Sequence, residues 1–315
     1  MSAAFPRFPK VLAFTCGDPA GIGPRAALAC LRSRALPKGV MPLLVGEASV
    51  WRRAGWRAGD GPIRDTALGL TPPRPGCPST DGGRLSAASF EEALRLTACG
   101  QVQGMVTAPI SKQSWSAAGY PWRDHTERLA EASGACETQM ILGVPSRGLW
   151  CAIATRHVPL KEAVRDLSAR NIASCARALD GALSLLGRVK PRLALCGLNP
   201  HAGEGGLIGV EERVLLSPAA ARLRREGLRL EGPLPADSAW RLHAEGAYDG
   251  LVCLYHDQAL IPLKALGGLA GVNWTVGIPF VRTSPAHGTA YEAAAAGRFD
   301  PEATIEAARL AARLI

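Results

Sequence analysis

Short apolar runs alternate along the chain with longer stretches whose apolar residues recur at helical spacing. Val11 to Cys16 is an apolar run of strand length that ends in Gly-Asp-Pro-Ala-Gly, and an Ala/Leu-rich helical stretch follows from about Pro24 to Arg34. Pro42 to Gly46 predicts a second strand. The Pro/Gly-rich stretch from Gly59 to Gly83 predicts loop with one short strand, and helix resumes over Ser86 to Cys99. Gly104 to Thr107 predicts a strand running into Ala-Pro-Ile-Ser-Lys. Trp150 to Thr155, Pro191 to Gly197 and Gly250 to Leu254 are further strand-length runs, each followed by a polar segment and separated by helical patterns. An alanine-rich helix is expected around Glu292 to Ala296. Strands alternating with helices predict an α/β sheet, and polar segments just after such strands lie where ligands bind.

A chain of 315 residues is long enough for two domains or one large α/β unit. Hydrophobic residues at 47% and charged residues at 20% exclude a disordered chain. The net charge of +9 raises the question of nucleic acid, but Lys and Arg are scattered rather than gathered with aromatics in one stripe, so no nucleic-acid partner is expected. Nine cysteines, an odd number without a C-x-x-C pair, predict no disulfide framework. The start carries two prolines and no apolar leader, and no run reaches the roughly 18 consecutive apolar residues of a membrane span. A cytoplasmic protein without membrane association is expected.

Gly21-Ile-Gly23-Pro-Arg-Ala26 fits the dinucleotide pattern G-x-G-x-x-A, with Glu47 after the next strand in the place of a ribose ligand. Gly17-Asp18-Pro19-Ala20 intervenes between the strand and the first glycine of that pattern. A stiff strand-to-helix connection and a set of amides facing an anion therefore remain alternatives.

Three of the six histidines stand in segments that follow predicted strands: His157 in Thr-Arg-His-Val-Pro, His201 in Asn-Pro-His-Ala-Gly-Glu, and His256 in Tyr-His-Asp-Gln. Imidazoles suit a borderline divalent metal, and three of them leave coordination positions open for a substrate hydroxyl. By spacing alone, surface or hydrogen-bonded histidines are the commoner case. Asp237 and Asp257 have the chemistry to orient a ligand or take a proton, although Asp257 also suits a helix cap. Lys112, His125, Thr126, Lys264, Asn273 and Arg282 offer donors for phosphate and carboxylate.

Taken together, these segments resemble a known family. Gly17-Asp-Pro-Ala-Gly-Ile-Gly-Pro24, Thr107-Ala-Pro-Ile-Ser-Lys112, His125-Thr-Glu127, Gly197-Leu-Asn-Pro-His-Ala-Gly-Glu-Gly-Gly206, Gly232-Pro-Leu-Pro-Ala-Asp237, Tyr255-His-Asp-Gln258, Gly271-Val-Asn, Arg282-Thr-Ser and His287-Gly-Thr-Ala290 resemble the 4-hydroxythreonine-4-phosphate dehydrogenases in order and spacing. The resemblance covers nearly the whole chain.

It implies a two-domain isocitrate/isopropylmalate dehydrogenase-like fold with a cleft between domains, so the Gly21 pattern is a decoy and not a Rossmann motif. The expected domains are 1–124 with 258–315, and 125–257 carrying metal ligands and dimer contacts. The resemblance further implies a homodimer in which His157, His201 and His256 hold one divalent metal per subunit (Zn, Mg or Co), shared across the interface. His125, Thr126, Lys264, Asn273 and Arg282, with Lys112, would bind substrate. Asp237, Lys264 and Asp257 are the expected catalytic residues. The implied reaction oxidises 4-phosphooxy-L-threonine with NAD or NADP and ends in decarboxylation to 3-amino-2-oxopropyl phosphate, a step of pyridoxine biosynthesis. Two alternatives are a related dehydrogenase of 4-phosphoerythronate, a phosphorylated threonate or a dihydrodiol dicarboxylate, and a non-catalytic metabolite-binding homologue.

The chain departs from the family pattern at four places. Arg25 stands where an acid is usual, Asp124 and Ala259 where glycine is usual, and Ala286 where an acid is common. An acid beside a phosphate site opposes a dianion unless it points away.

Overall fold

The structure, a computed structural model, describes residues 9–135 and 137–315. Its strands in chain order are β1 (Lys10–Thr15), β2 (Val40–Val45), β3 (Ile63–Arg64), β4 (Gly104–Val106), β5 (Gln139–Val144), β6 (Leu149–Ile153), β7 (Arg192–Cys196), β8 (Arg229–Leu234), β9 (Gly250–Cys253), β10 (Val272–Val276) and β11 (Val281–Pro285). The chain divides into two compact units, Met1–Gly134 with Ile278–Ile315, and Ala135–Gly277.

In the first unit the strand order is β3-β2-β1-β4-β11, every pair parallel. Parallel strands covered by helices on both faces need unbroken apolar runs, which is why β1 and β4 were legible as such. Ala13, Val45, Phe90, Leu94, Met105, Trp115 and Leu129 form one buried cluster. The helix Thr80–Ala98 begins inside the stretch expected to be loop. Its cap is Ser79, whose hydroxyl accepts from the Gly82 amide at 3.0 Å. Gly83 reads as a helix breaker, yet a Cβ there would lie 2.0 Å from the Ser114 carbonyl, so glycine lets the helix Lys112–Ala117 pack close.

The glycine loop is closed on itself. Asp18 is fully buried; its carboxylate accepts from the Ala20 amide at 2.9 Å and from the Tyr291 hydroxyl at 2.8 Å. The amides of Asp18, Gly21 and Ile22 donate to the carbonyls of Pro109, Asp18 and Thr289. Gly17, at φ +61°, leaves no space for a side chain, because a Cβ would meet the Pro109 carbonyl at 2.4 Å. This is a stiff strand-to-helix connection in which the amides of Asp18, Ala20, Gly21 and Ile22 are spent on the protein's own oxygens.

The second unit has the order β10-β5-β6-β9-β7-β8. β5 is antiparallel to both β10 and β6, and the remaining pairs are parallel. The helix Ala169–Leu185, started by a Ser168/Asn171 capping box, packs Leu179 and Leu183 against β9 at Gly250. β5, β8, β10 and β11 had no counterpart in the apolar pattern. Asn273, Thr275, Arg282, Thr283 and Ser284 interrupt the last two, and Gly-Pro sits in β8, an edge strand where a missing amide is tolerated.

The units differ from the boundaries expected at 124/125 and 257/258. The helix His125–Ser133 stays with the first unit because Leu129 joins its core and the His125 ring lies against Phe90 and Trp115. The helix His256–Gly267 stays with the second, in contact with β5, β6 and β9, and β10 follows it by pairing with β5. Among the described residues no helix is long and apolar enough to cross a membrane.

Candidate active site

Three strands of the second unit run into the segments that carry its histidines. β6 leads to His157, β9 to His256 and β7 to His201. The rings of His157 and His256 lie 5.5 Å apart, centroid to centroid. They line a cavity of about 250 Å³ with Arg156, Leu160, Tyr255 and Asp257. His256 is the first residue of its helix, and its Nδ1 is 2.7 Å from Asp257 Oδ1. That bond is the one by which a carboxylate fixes an imidazole tautomer and leaves Nε2 for an ion. Asp257 therefore orients His256, and the helix N-cap is Tyr255 instead.

His201 occupies a different setting. It opens a run of five residues, His201 to Gly205, with left-handed backbone angles. Glu212 holds this loop: it is buried, and its carboxylate accepts from the amides of Leu198 and Asn199 and from the Asn199 side chain. Gln258 ties the base of the loop to the His256 helix, donating to the Gly197 carbonyl and accepting from the Leu254 amide, both at 2.7 Å. Neither Glu212 nor Gln258 was singled out from sequence. The Tyr-His-Asp-Gln segment held the clue for the second, and only burial reveals the first. Among the described residues no three potential ligands converge to hold an ion. His157 and His256 are brought together, and His201 is not joined to them within one chain.

The other expected residues of this unit are placed as follows. Asp237 is exposed in the first turn of the helix Ala236–Ala244, and Lys264 is exposed in the last turn of the His256 helix. Asn273 lies in β10 with its Oδ1 buried and without a hydrogen-bond partner. A buried carbonyl oxygen in that state is unusual in a folded protein and marks a place where a donor is wanted.

In the first unit, Arg282 on β11 is 3% exposed. Its Nη2 donates to Thr107 Oγ1 at 2.7 Å and to His125 Nδ1 at 3.1 Å. A guanidinium cannot accept, so His125 accepts at Nδ1 and carries its proton on Nε2. That Nε2 is buried and has no partner. Burial first, and Arg282 second, hold His125 well below its ordinary value of 6.5, so the ring stays neutral. Burial also pushes Arg282 down to about 10. A buried cation and a buried neutral N–H donor side by side form an arrangement suited to an oxyanion. Thr107, which receives the guanidinium, is fully buried and was missed as a site residue although it opens the Thr-Ala-Pro-Ile-Ser-Lys segment.

Thr126 is half-buried next to His125, and Lys112 is exposed at the start of its own helix. Asp124 is the N-cap of the helix His125–Ser133, accepting from the Glu127 amide at 3.1 Å. Its other oxygen lies 3.7 Å from Lys112 Nζ. The acid is thus paired with one of the phosphate candidates, Lys112, and its charge also reaches Arg282.

Comparisons with known proteins follow this geometry. The family model described as pyridoxal phosphate biosynthetic protein PdxA matches residues 41–311. The chain is 39% identical over 318 residues to a 4-hydroxythreonine-4-phosphate dehydrogenase from Paracoccus denitrificans strain Pd 1222, covering 96% of this chain and 97% of that protein. It is similar to the crystal structure of a 4-hydroxythreonine-4-phosphate dehydrogenase from Klebsiella pneumoniae, at 33% identity and a TM-score of 0.83 over 99% of both chains. A terephthalate 1,2-cis-dihydrodiol dehydrogenase from Burkholderia xenovorans LB400 is more distant, at 28% identity and a TM-score of 0.66 over 96% of this chain and 98% of that one. A β-decarboxylating dehydrogenase from Thermococcus kodakarensis shares the fold alone, at 14% identity and a TM-score of 0.51 over 94% of this chain and 80% of that one. The expected fold class, a mixed α/β architecture of the kind this β-decarboxylating dehydrogenase also has, is therefore correct.

Proposed function

The chain belongs to the pyridoxal phosphate biosynthetic protein PdxA family, and from that premise we propose that it oxidises 4-phosphooxy-L-threonine with a nicotinamide dinucleotide and a divalent metal, the 3-oxo acid then losing CO2 to give 3-amino-2-oxopropyl phosphate. The observation that carries this reading is the His157/His256 pair at 5.5 Å, with Asp257 fixing one ring, in a chain otherwise matched end to end by dehydrogenases of that name.

Two imidazoles under-coordinate a divalent ion, and we assign the third place to His201 of a second copy of the chain. The loop that bears His201 continues into Leu207, which is 86% exposed, and Val214 and Ile261 of the same unit are more than half exposed. Large apolar side chains this open are covered when a second copy packs on them. The donor set fits a borderline metal. When bound, the cation supplies Lewis acidity to the substrate hydroxyl oxygen and the ketone made from it, and the nicotinamide ring supplies the hydride acceptor.

The chain's own residues do the rest. Arg282 and the Nε2–H of His125 bind phosphate oxygens, with Thr126 and Lys112 beside them. Asn273 Oδ1 accepts from a substrate donor such as its ammonium. The hydroxyl proton goes to Asp237 or Lys264, directly or through water. Retention of turnover by both Asp237→Asn and Lys264→Ala at saturating metal and substrate would remove both from that role. The substrate is tested by dinucleotide reduction with 4-phosphothreonine beside 4-phosphoerythronate. Preference for the first is expected, and a clear preference for the second overturns the assignment.

Asp124 sets a limit on phosphate affinity. Asp124→Gly removes the charge that Lys112 now shares, and glycine is itself a tolerated N-cap, so the helix loses only a few tenths of a kcal/mol. The Michaelis constant for the phosphorylated substrate is expected to fall about fivefold, the effect of roughly 1 kcal/mol between half-exposed charges, with kcat unchanged. Initial-rate kinetics on the two proteins measure this, and a rise in the constant would contradict it.

A further inference from the structure

The first unit contains a second cavity, of about 360 Å³, beside the glycine loop, and its charged lining residues are Arg25, Arg53 and Arg298 with no Asp or Glu among them. None of the three is in an ion pair with a described residue. The remainder of the wall is apolar, including Ile22, Val50 and Pro75.

Two of the guanidiniums are held in place by main-chain oxygens. Arg53 donates to the carbonyls of Pro72, Pro73 and Pro19 and is partly desolvated, which lowers its pKa. Arg25 donates through Nη1 to the Gly297 carbonyl at 3.0 Å, and its Cζ lies 4.7 Å from the Phe299 ring centroid. Carbonyls and a ring fix these cations without neutralising them, and most of the N–H groups of Arg25 remain to be used. Arg298 makes no side-chain hydrogen bond to a described residue. Three like charges around one cavity repel one another, and a dianion placed among them relieves that repulsion while gaining forked hydrogen bonds. The apolar wall suits a flat base or sugar edge next to that dianion.

We propose that this cavity receives a phosphomonoester-bearing nucleotide, and that its occupant is the adenosine 2′-phosphate of NADP, so that the chain prefers NADP to NAD. The inference rests on the dehydrogenase reading for the identity of the nucleotide, since the two dinucleotides differ only by that phosphate. The chemistry of the choice is general: a carboxylate accepts from a ribose 2′-hydroxyl, whereas arginine receives a 2′-phosphate.

The test is calorimetric titration of the purified full-length protein with 2′,5′-ADP, 5′-AMP and inorganic phosphate. The unmodified protein is expected to bind 2′,5′-ADP at least about tenfold more tightly than either of the other two, the yield of one or two charge-assisted bonds. Arg25→Ala combined with Arg298→Ala is expected to abolish that margin. Arg95→Ala, which removes the same charge from an exposed helical site elsewhere, is expected to keep it. Equal affinity for 2′,5′-ADP and 5′-AMP overturns the inference on unmodified protein alone, whatever the variants do. A margin that survives the double replacement, or binding that inorganic phosphate matches, also overturns it. These readouts need no turnover, so failure to oxidise any alcohol with either dinucleotide would count against the dehydrogenase reading and not against the cavity.

Discussion

Replacing His256 by alanine is expected to lower kcat by at least about a thousandfold at saturating substrate and to strip the purified protein of its divalent metal. The ring is one of two that approach each other at 5.5 Å, and its Nδ1 is occupied by Asp257, so Nε2 is the nitrogen offered to an ion. Alanine suits the first turn of a helix whose cap, Tyr255, uses no side-chain bond, so folding should be spared. Asp257→Asn is the graded companion. It leaves the ligand and weakens what orients it, for which a loss of about 10-fold to 100-fold in metal affinity is expected. Metal analysis with parallel initial rates measures both, and a His256→Ala protein that kept metal and turnover would remove this residue from the site.

The second large effect is at Arg282. Arg282→Met is expected to reduce kcat/KM for the phosphorylated substrate by more than about a hundredfold, since a desolvated guanidinium bound to phosphate is worth several charge-assisted bonds. Stability should move differently. The guanidinium is 3% exposed, and burial pushes it down to about 10, so the folded state bears a desolvation cost that methionine lacks. Methionine fills a similar length, and the lost bonds to Thr107 and His125 partly offset the gain. The unfolding free energy is therefore expected to rise or to fall by no more than about 1 kcal/mol. Urea denaturation beside steady-state kinetics separates the two quantities. A stability loss of several kcal/mol with an equal loss of folded protein would make Arg282 a structural residue instead.

The legible parts of this fold were those governed by simple periodicity. Parallel strands such as β1, β4 and β9, covered on both faces, have to be apolar throughout, and each was visible as a short run. β10 and β11 were hidden because they carry Asn273 and Arg282, residues whose polarity breaks the apolar pattern of a strand. The domain boundaries shifted for a similar reason. The helices that begin at His125 and His256 start with polar residues, yet their later turns supply apolar faces to the unit that precedes them in the chain.

A grouping of residues was legible where a residue type stands in a loop after a strand, as with His157 and His256, whose rings come together. It was not legible where a residue acts through burial. Thr107, Glu212 and Gln258 are ordinary letters until the structure places them beneath Arg282, the His201 loop and the His256 helix. Asp124 was legible as a departure, but its pairing with Lys112 and its capping bond are properties of the folded helix start.

The central claim is that one active site draws His157 and His256 from one subunit and His201 from another, and mixing two inactive variants tests it directly. His201→Ala and His256→Ala proteins are each expected to be inactive alone. Unfolded together and refolded at equal amounts, they should regain about a quarter of wild-type turnover, because half of the dimers are mixed and each mixed dimer holds one intact site of two. Recovery near that level, with a mixed dimer isolated by two different affinity tags, is the predicted result. Mixed dimers that form and remain inactive would contradict the shared site.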